Sequence, residues 1–426
     1  MSSAEKGFRP FLGLTFLIGF GFFTMGLMDP LYDTYVPIFL GRYIPSMGIV
    51  GSVMTLDNIF ALFLIPLVAV WSDKVKTPLG RRMPFILVTL PLTALSFAAL
   101  PYAAAASLAA LVAAIFLLNL WKQSARGPVV ALMPDIVPGE YRSEANGVIN
   151  TMGGIASIVG TLGLARLMDL DIVLPVLGRT KDRIPFPIAA ALVVAAVLLL
   201  VAFVRERGTG ETASEPRVSL RESLAAIAGS RDKSALLILV SLFLWFLGYQ
   251  GVLPFIGKYS IEALGVSPGR AAFGAGMVGI AYALFAIPSG YVAHRIGRKR
   301  AIRIALAALT VLASLLYFLD PLSAALGLSG MSKVYFFWGL LFFFGMFWVT
   351  VVTNSFPMLW QMARYGNVGI YTGLYYTFSQ GAAILSPPLT GRLIDLGGYR
   401  GIFAFCAVCM AAAFGVMGFV RSGEAA

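Results

Sequence analysis

Asp57 and Asn58 stand together deep in the second long apolar stretch of the chain. A charge placed there costs about 2.5–3.5 kcal/mol to insert into a bilayer and needs a partner or a purpose. Two more charged pairs interrupt apolar stretches. Lys122 and Arg126 lie four residues apart in the fourth, and Asp29 and Asp33 four apart in the first, interleaved with Tyr32 and Tyr35. A four-residue spacing puts each pair on one helix face. Carboxylates in a low-dielectric segment hold a proton or a cation and release it when a positive charge approaches. Asp57, Asp33 and Asp29 are therefore candidates for cation coupling. Lys122, Arg126 and Asn58 are candidates for substrate binding, with Arg126 or Lys122 as the charge partner of Asp57. The plainer alternative is a fixed ion pair that holds two helices together.

The second half of the chain offers different chemistry. Its apolar stretches hold few charges but many neutral polar and aromatic residues, of which Tyr249, Gln250, Asn354, Tyr375 and Gln380 are candidate substrate ligands. Aromatic faces combined with amides and hydroxyls suit a neutral polyhydroxylated ligand, whose flat faces stack while its hydroxyls find donors and acceptors. Interfacial anchoring and packing explain aromatic residues of this kind equally well.

These residues must be positioned by membrane helices. The chain of 426 residues is 59% apolar and only 12% charged, with a mean hydropathy of +0.85, whereas soluble domains carry about 25% charged residues. Twelve spans are predicted, at about 10–40, 46–71, 83–101, 107–133, 142–168 and 187–204, then 234–257, 268–292, 301–319, 334–358, 368–394 and 401–420. A polar linker at 205–233 divides them into an N-terminal six-helix bundle (1–204) and a C-terminal one (234–426). Within it, residues 218–224 begin an amphipathic segment suited to a membrane surface.

The net charge of +12 follows topology and not nucleic-acid binding. With loops assigned alternately from an inner N-terminus, and the span-end residues Arg142, Arg270, Arg303 and Arg392 counted with the adjoining loop, 20 of the 32 Lys and Arg fall on the inner side, nine on the outer and three (Lys122, Arg126 and Arg166) within spans. That excess predicts both termini in the cytoplasm. Cys406 and Cys409, three apart in the last span, read as small packing residues. Neither they nor the lone His294 forms part of a metal or nucleophile constellation, so no enzyme, cofactor or metal site is expected.

Between the second and third spans runs a basic turn, Asp73-Lys74-Val75-Lys76-Thr77-Pro78-Leu79-Gly80-Arg81-Arg82. A degraded echo, His294-Arg295-Ile296-Gly297-Arg298-Lys299-Arg300, follows the eighth span. A charged turn repeated at half the length of a hydrophobic chain points to two similar bundles, the layout of secondary transporters. Gly80 permits a tight turn. Asp73, Arg81 and Arg82 are placed to clamp helix ends, as a gate and not as a binding site.

This pattern resembles the major facilitator superfamily. More narrowly, Pro66, then Ser72-Asp73, then Gly80-Arg81-Arg82-Met83-Pro84-Phe85-Ile86 resembles the sucrose transporters of plants and their bacterial and animal relatives. Gly127-Pro128 with Asp135, and Arg142 with Ala145-Asn146, extend the match and add Asp135 and Arg142 to the gating set. The likeness is strongest over residues 45–160. Val130 stands where those relatives carry an arginine, and this chain has Arg126 before the Gly-Pro pair instead. Ala61 and Ile65 occupy the positions of the acidic pair found in melibiose-type symporters, which argues against a sodium site of that kind.

The resemblance implies an all-α membrane protein of two pseudo-symmetric bundles in the plasma membrane. Its implied activity is cation-coupled, chiefly proton-coupled, uptake of a sugar or glycoside by a monomer. Two other readings share the fold: an exporter of amphipathic drugs or metabolites, and a transporter-like receptor or scaffold.

Overall fold

The computed structural model describes residues 8–138, 141–175, 178–206, 232–361 and 368–422. The side chains of residues 142–144, 360, 368–370 and 372 are not described. The described residues are helical nearly throughout. In order, its helices are α1 (Arg9–Leu40), α2 (Met47–Met54), α3 (Leu56–Lys74), α4 (Met83–Ala106), α5 (Leu108–Ile136), α6 (Arg142–Ile158) and α7 (Pro185–Phe203). There follow α8 (Ser234–Glu262), α9 (Pro268–Ala271), α10 (Phe273–Ile296), α11 (Arg298–Tyr317), α12 (Leu319–Ala325), α13 (Gly330–Trp360), α14 (Val368–Gly397) and α15 (Gly401–Gly418). A two-stranded antiparallel turn, Val173–Leu174 with Gly178–Arg179, is the only sheet among the described residues.

Helix starts follow the sequence. Ser46 Oγ accepts the Ile49 amide at 3.4 Å and Ser107 Oγ accepts that of Ala110 at 3.1 Å, each satisfying an amide that the first turn leaves without a partner. Ser329 and Ser332 form a capping box at the start of α13. Prolines such as Pro66, Pro254 and Pro288 lie inside continuous helices, a tolerance typical of membrane segments.

Eleven helical stretches among the described residues are long and apolar enough to cross a bilayer. The remaining long helix is the 30-residue α14, at the position of the eleventh predicted span. Three predicted spans are not uniform helices. The second breaks at Thr55, between α2 and α3, and the eighth breaks at Ala272, between α9 and α10. The fifth passes from α6 into a π turn, Val159–Gly163, and then a 3₁₀ turn, Leu164–Asp169. The predicted amphipathic segment at 218–224 lies outside the described residues.

Two compact units are present. One comprises Met1–Tyr43, Leu56–Thr212 and Ser267–Ala272, the other Ile44–Thr55, Ala213–Val266 and Phe273–Ala426. In the first, α1 packs on α6 and α7, α4 on α5 and α7, and α3 on α5. The α1–α6 crossing is close because both surfaces are glycine there: a Cβ on Gly26 would meet the Gly153 carbonyl oxygen at 2.2 Å. Packing of this kind, and not hydrophobicity, drives helix association in lipid. In the second unit α10 and α11 pack on α13, α8 on α14 and α15, and α2 on α14.

Candidate functional site

In the first unit, α1, α3 and α5 bring four charged residues together. Lys122 Nζ, on α5, lies 2.8 Å from Asp29 Oδ1 on α1 and 3.4 Å from Asp57 Oδ2 on α3. The lysine side chain is only 3% exposed, against 35% for Asp29 and 21% for Asp57, so the cation is the buried partner and the carboxylates line its more open side. Its ammonium also lies 5.2 Å from the centre of the Tyr32 ring, within cation–π range. The helix break at Thr55 places Asp57 in the first turn of α3, where the amide dipoles favour negative charge. Gln123 donates a hydrogen bond from Nε2 to Asp57 Oδ1. Of the two cations proposed from sequence for Asp57, Lys122 makes the contact.

Asp33 and Arg126 are left over. Both are half-buried, and neither has a hydrogen bond or ion pair among the described residues, although the charges of Asp29, Lys122 and Asp57 are felt at Asp33. Arg126 falls one turn below Lys122 on α5. Asn58 is half-buried next to Asp57.

Two buried amides on the same face of α5 escaped the sequence reading. Asn119 Nδ2 donates to the Tyr32 hydroxyl at 2.9 Å, and Asn119 and Gln123 are both fully buried. Each has its donor engaged, while Asn119 Oδ1 and Gln123 Oε1 have no partner among the described residues. A buried acceptor without a donor costs about 1–3 kcal/mol, so these two oxygens are unmet acceptors within the charged cluster. The signal was present in sequence: 119, 122, 123 and 126 follow the i, i+3, i+4, i+7 spacing of a single helix face.

The basic turn forms a separate network in the same unit. The Arg82 guanidinium, 6% exposed, donates from Nε to Asp135 Oδ2 at 2.9 Å. Its Nη1 donates to the Ala69 carbonyl at 3.0 Å and to Ser72 Oγ at 2.5 Å, and its Nη2 pairs with Asp73. Every side of the fork is used, which a buried guanidinium requires. Arg81 Nη2 approaches Asp135 Oδ2 at 3.5 Å and Arg81 Nε approaches Glu206 Oε1 at 3.7 Å. Glu206, not singled out in sequence because it sits in the linker after α7, also accepts the Arg82 amide at 2.8 Å. Gly80 carries a φ of +104°. Arg142 opens α6, and its side chain lies outside the described residues.

In the second unit, Tyr249 stacks on Trp348 with ring centres 3.9 Å apart and planes 10° apart. Phe246 meets Trp348 edge-on at 5.5 Å and Tyr375 at 6.2 Å. The Tyr375 hydroxyl lies 3.4 Å from Ser355 Oγ. Asn354, 3% exposed, donates to the Thr350 carbonyl of its own helix at 2.8 Å. Gln250 and Gln380 are half-buried, and Gln380 Oε1 is without a partner among the described residues. Tyr249, Trp348 and Tyr375 thus form one aromatic group with buried polar neighbours. His294 is exposed in the last turn of α10. Near it, Lys299 donates to the Gly418 carbonyl at 3.3 Å and to that of Val420, at the end of α15, where a cation complements the helix dipole.

The sequence profile of the Major Facilitator Superfamily matches residues 11–384. No curated protein matches the chain. Among solved structures, a mutant form of the nucleoside transporter NupG superposes with a TM-score of 0.75 at 14% identity, over 96% of this chain and 100% of that one. A second NupG structure gives 0.69 at 15% identity with the same coverage. A D-xylose-proton symporter gives 0.64 at 13%, over 96% of this chain and 98% of that one. At such identities the likeness speaks for the fold. The profile spans most of the sequence, and with its many apolar helices this multi-pass membrane transporter belongs to the Major Facilitator Superfamily.

Proposed function

We propose that the chain is a proton-coupled symporter of a sugar or glycoside, working by alternating access in the cytoplasmic membrane as a monomer. Both termini lie on the inner side, and the functional halves are an N-terminal bundle (1–204) and a C-terminal bundle (234–426) joined by the linker. The narrower grouping with sucrose and glycoside symporters rests on the residues around Pro66, Asp73 and Arg82.

The observation that carries this reading is the division of labour among three carboxylates. Lys122 pairs with Asp29 and Asp57, whereas Asp33, one turn from Asp29 on the same helix, has no fixed cation or hydrogen-bond donor among the described residues. A coupling carboxyl must exchange its proton during the cycle, and a group already locked to a lysine is poorly suited to that. Asp33 is therefore the primary proton site, with Asp29 and Asp57 setting its field. The acceptors on Asn119 and Gln123, and the aromatic group around Tyr249, Trp348 and Tyr375, supply what a polyol needs: places for hydroxyl donors, and flat apolar faces. Two of the similar structures carry a D-xylose-proton symporter and a nucleoside transporter by name, and both solutes contain a sugar ring.

The test is counterflow of radiolabelled sucrose, maltose, glucose and D-xylose in proteoliposomes. Saturable exchange of at least one is expected, with proton-driven accumulation abolished in Asp33→Asn while exchange persists. If the folded protein exchanges none of the four, the sugar reading is overturned. Should Asp33→Asn accumulate substrate normally, the coupling assignment fails.

A further inference from the structure

We infer that Arg126 binds a carboxylate on the substrate, so that the cargo is a monoanionic sugar acid of the uronate kind. This rests on the sugar reading above and narrows it.

A guanidinium is always charged, and in the interior of a membrane protein its retention calls for a counter-charge. Two other buried basic groups of this unit are satisfied: Lys122 holds two carboxylates, and Arg82, in the separate network of the basic turn, places its donors on Asp73, Asp135, Ser72 and Ala69. Arg126 sits in the interior of α5, half-buried, with no hydrogen bond, ion pair or aromatic face among the described residues. Asp29 and Asp57 are already engaged by Lys122. The side chain thus offers a planar fork of donors, the geometry that matches a carboxylate in bidentate fashion.

Its neighbours fix what else the ligand carries. Gln123 Oε1 and Asn119 Oδ1, buried and without donors among the described residues, lie three and seven residues before Arg126 on the same face. At a rise of about 1.5 Å per residue these groups are spaced roughly 4.5 and 10 Å along the helix. A ring with hydroxyl groups at one end and a carboxylate at the other spans the shorter distance, and an attached aglycone or second sugar reaches the longer one. A phosphate ester fits less well. It would bring two negative charges to a cluster in which, among the described residues, Lys122 is already committed and Arg126 is the one cation left.

Coupling follows from a count of the charges on these three helix segments, which are the Asp29, Asp33, Asp57 and Lys122 cluster with Arg126 one turn from Lys122 on α5. Three carboxylates against two cations leave one negative charge. Adding one proton at Asp33 and one substrate carboxylate at Arg126 leaves that total unchanged. Symport of a monoanion with one proton is then electroneutral, whereas symport of a neutral sugar with one proton would carry current.

The experiment uses full-length protein in proteoliposomes, with D-glucuronate, D-glucose and D-glucose 6-phosphate as probes, and compares the natural chain with Arg126→Gln and Arg126→Lys. The natural chain is expected to exchange glucuronate with a clear preference over glucose, and to take it up down a pH gradient without response to an imposed membrane potential. The preference should fall about tenfold or more in Arg126→Gln, the order expected for losing a charged hydrogen bond. It should be partly kept in Arg126→Lys, with unchanged thermal unfolding as the check on folding. Exchange of glucose but not glucuronate overturns this inference and leaves the sugar reading standing. Equal losses for both sugars in Arg126→Gln, or tighter binding of glucose 6-phosphate than of glucuronate, also overturn it. Exchange of none of the probes overturns the inference, and only the wider panel of sucrose, maltose and xylose then decides the parent reading.

Discussion

Asp169 and Asp395 hold matching helix starts in the two units. Asp169 Oδ2 accepts the Ser267 hydroxyl at 2.6 Å and its Oδ1 accepts the Gly269 amide at 2.9 Å. Asp395 Oδ2 accepts the Ser46 hydroxyl at 2.6 Å and the Gly48 amide at 3.0 Å, and its Oδ1 accepts the Met47 amide at 2.6 Å. Both capped segments begin Ser-x-Gly, and each belongs by chain position to the other half of the sequence from its aspartate. The same device used twice is what an internal duplication leaves behind. Replacing either aspartate with asparagine keeps an acceptor but removes the charge. Each change is expected to cost about 1 kcal/mol of stability, and the double variant about the sum, because the two sites share no partner. Thermal unfolding in detergent measures this; an unshifted midpoint in both single variants would show the caps to be energetically idle.

Lys122 is expected to be the most sensitive position of the charged cluster. In Lys122→Met, Asp29 and Asp57 face each other's charge without the cation. Breaking a buried pair costs about 3–5 kcal/mol, and the partial exposure of both carboxylates puts the expected loss at or below the low end of that range. Adding Asp57→Asn should recover part of it, since one of the stranded charges is then gone. A double-mutant cycle by denaturant unfolding reads the coupling directly. Additive losses in the cycle would show that the pair contributes nothing beyond its members.

Gly80 is required by two independent constraints. Its φ of +104° is one that residues with a Cβ rarely adopt, and a Cβ built there would meet Glu206 Oε2 at 2.2 Å. Gly80→Ala therefore strains the turn and pushes away the carboxylate that accepts the Arg82 amide. A loss of about 1–3 kcal/mol is expected. Because the Glu206 Cβ would also lie 2.5 Å from the new methyl, combining it with Glu206→Gly should remove the clash but keep the backbone strain at residue 80, so the double variant separates the two terms in the same unfolding assay.

Asp232 makes a contribution to stability that is lost in acid. Hydrogen bonds from Ser234 and Ser422 hold its carboxyl below the ordinary carboxylate range, despite a small opposing effect of burial. The folded form thus prefers the ionised state more than the unfolded chain does. The contribution is fully present above the ordinary carboxylate pKa of about 4 and is lost as pH falls through the lowered value. Because Ser234 Oγ also accepts the Arg421 amide at 2.9 Å and the Ser422 amide at 3.2 Å, the readout is the segment at Arg421 and Ser422. Cleavage after Arg421 by trypsin at neutral pH should be faster in Asp232→Ala than in the natural chain. Equal rates would show that the carboxylate does not fasten this end.

The long helices were legible in sequence because apolar runs of spanning length admit few other structures, and α4, α7 and α8 begin within two residues of where hydropathy puts them. The breaks at Thr55 and Ala272 were not legible, since neither is a proline and the polar pair after Thr55 does not by itself stop a helix; each follows a short capped helix whose partners come from distant sequence. The charged pairs stood out by spacing, but the choice between Lys122 and Arg126 as partner of Asp57 depends on how α3 and α5 are rotated, which spacing alone leaves open. Asn119 and Gln123 were passed over because neutral amides stand out less than charges in an apolar run. Only burial shows that their oxygens lack donors. Glu206 was hidden for the opposite reason, as one charge in a polar linker.

Tyr249 is the aromatic face expected to matter for binding. It is half-buried, whereas Trp348, stacked on it, is 3% exposed, so the tyrosine is the more accessible ring of the pair, with Phe344 also parallel to it at 6.4 Å. Offset aromatic stacking contributes about 0.5–1.5 kcal/mol beyond area, and a sugar ring on Tyr249 would lose an amount of that order in Tyr249→Ala. The half-saturation concentration in counterflow should then rise about three- to tenfold. Tyr249→Phe keeps the ring and isolates the hydroxyl. Trp348→Phe keeps an aromatic backing but a smaller one, and acts on binding only by letting Tyr249 tilt. A ranking in which Tyr249→Ala is worst, Trp348→Phe intermediate and Tyr249→Phe mildest identifies the ring face as the contact. If Tyr249→Ala lowers the unfolding midpoint without moving half-saturation, the stack is internal packing of α8 against α13, and the sugar face must be sought at Tyr375.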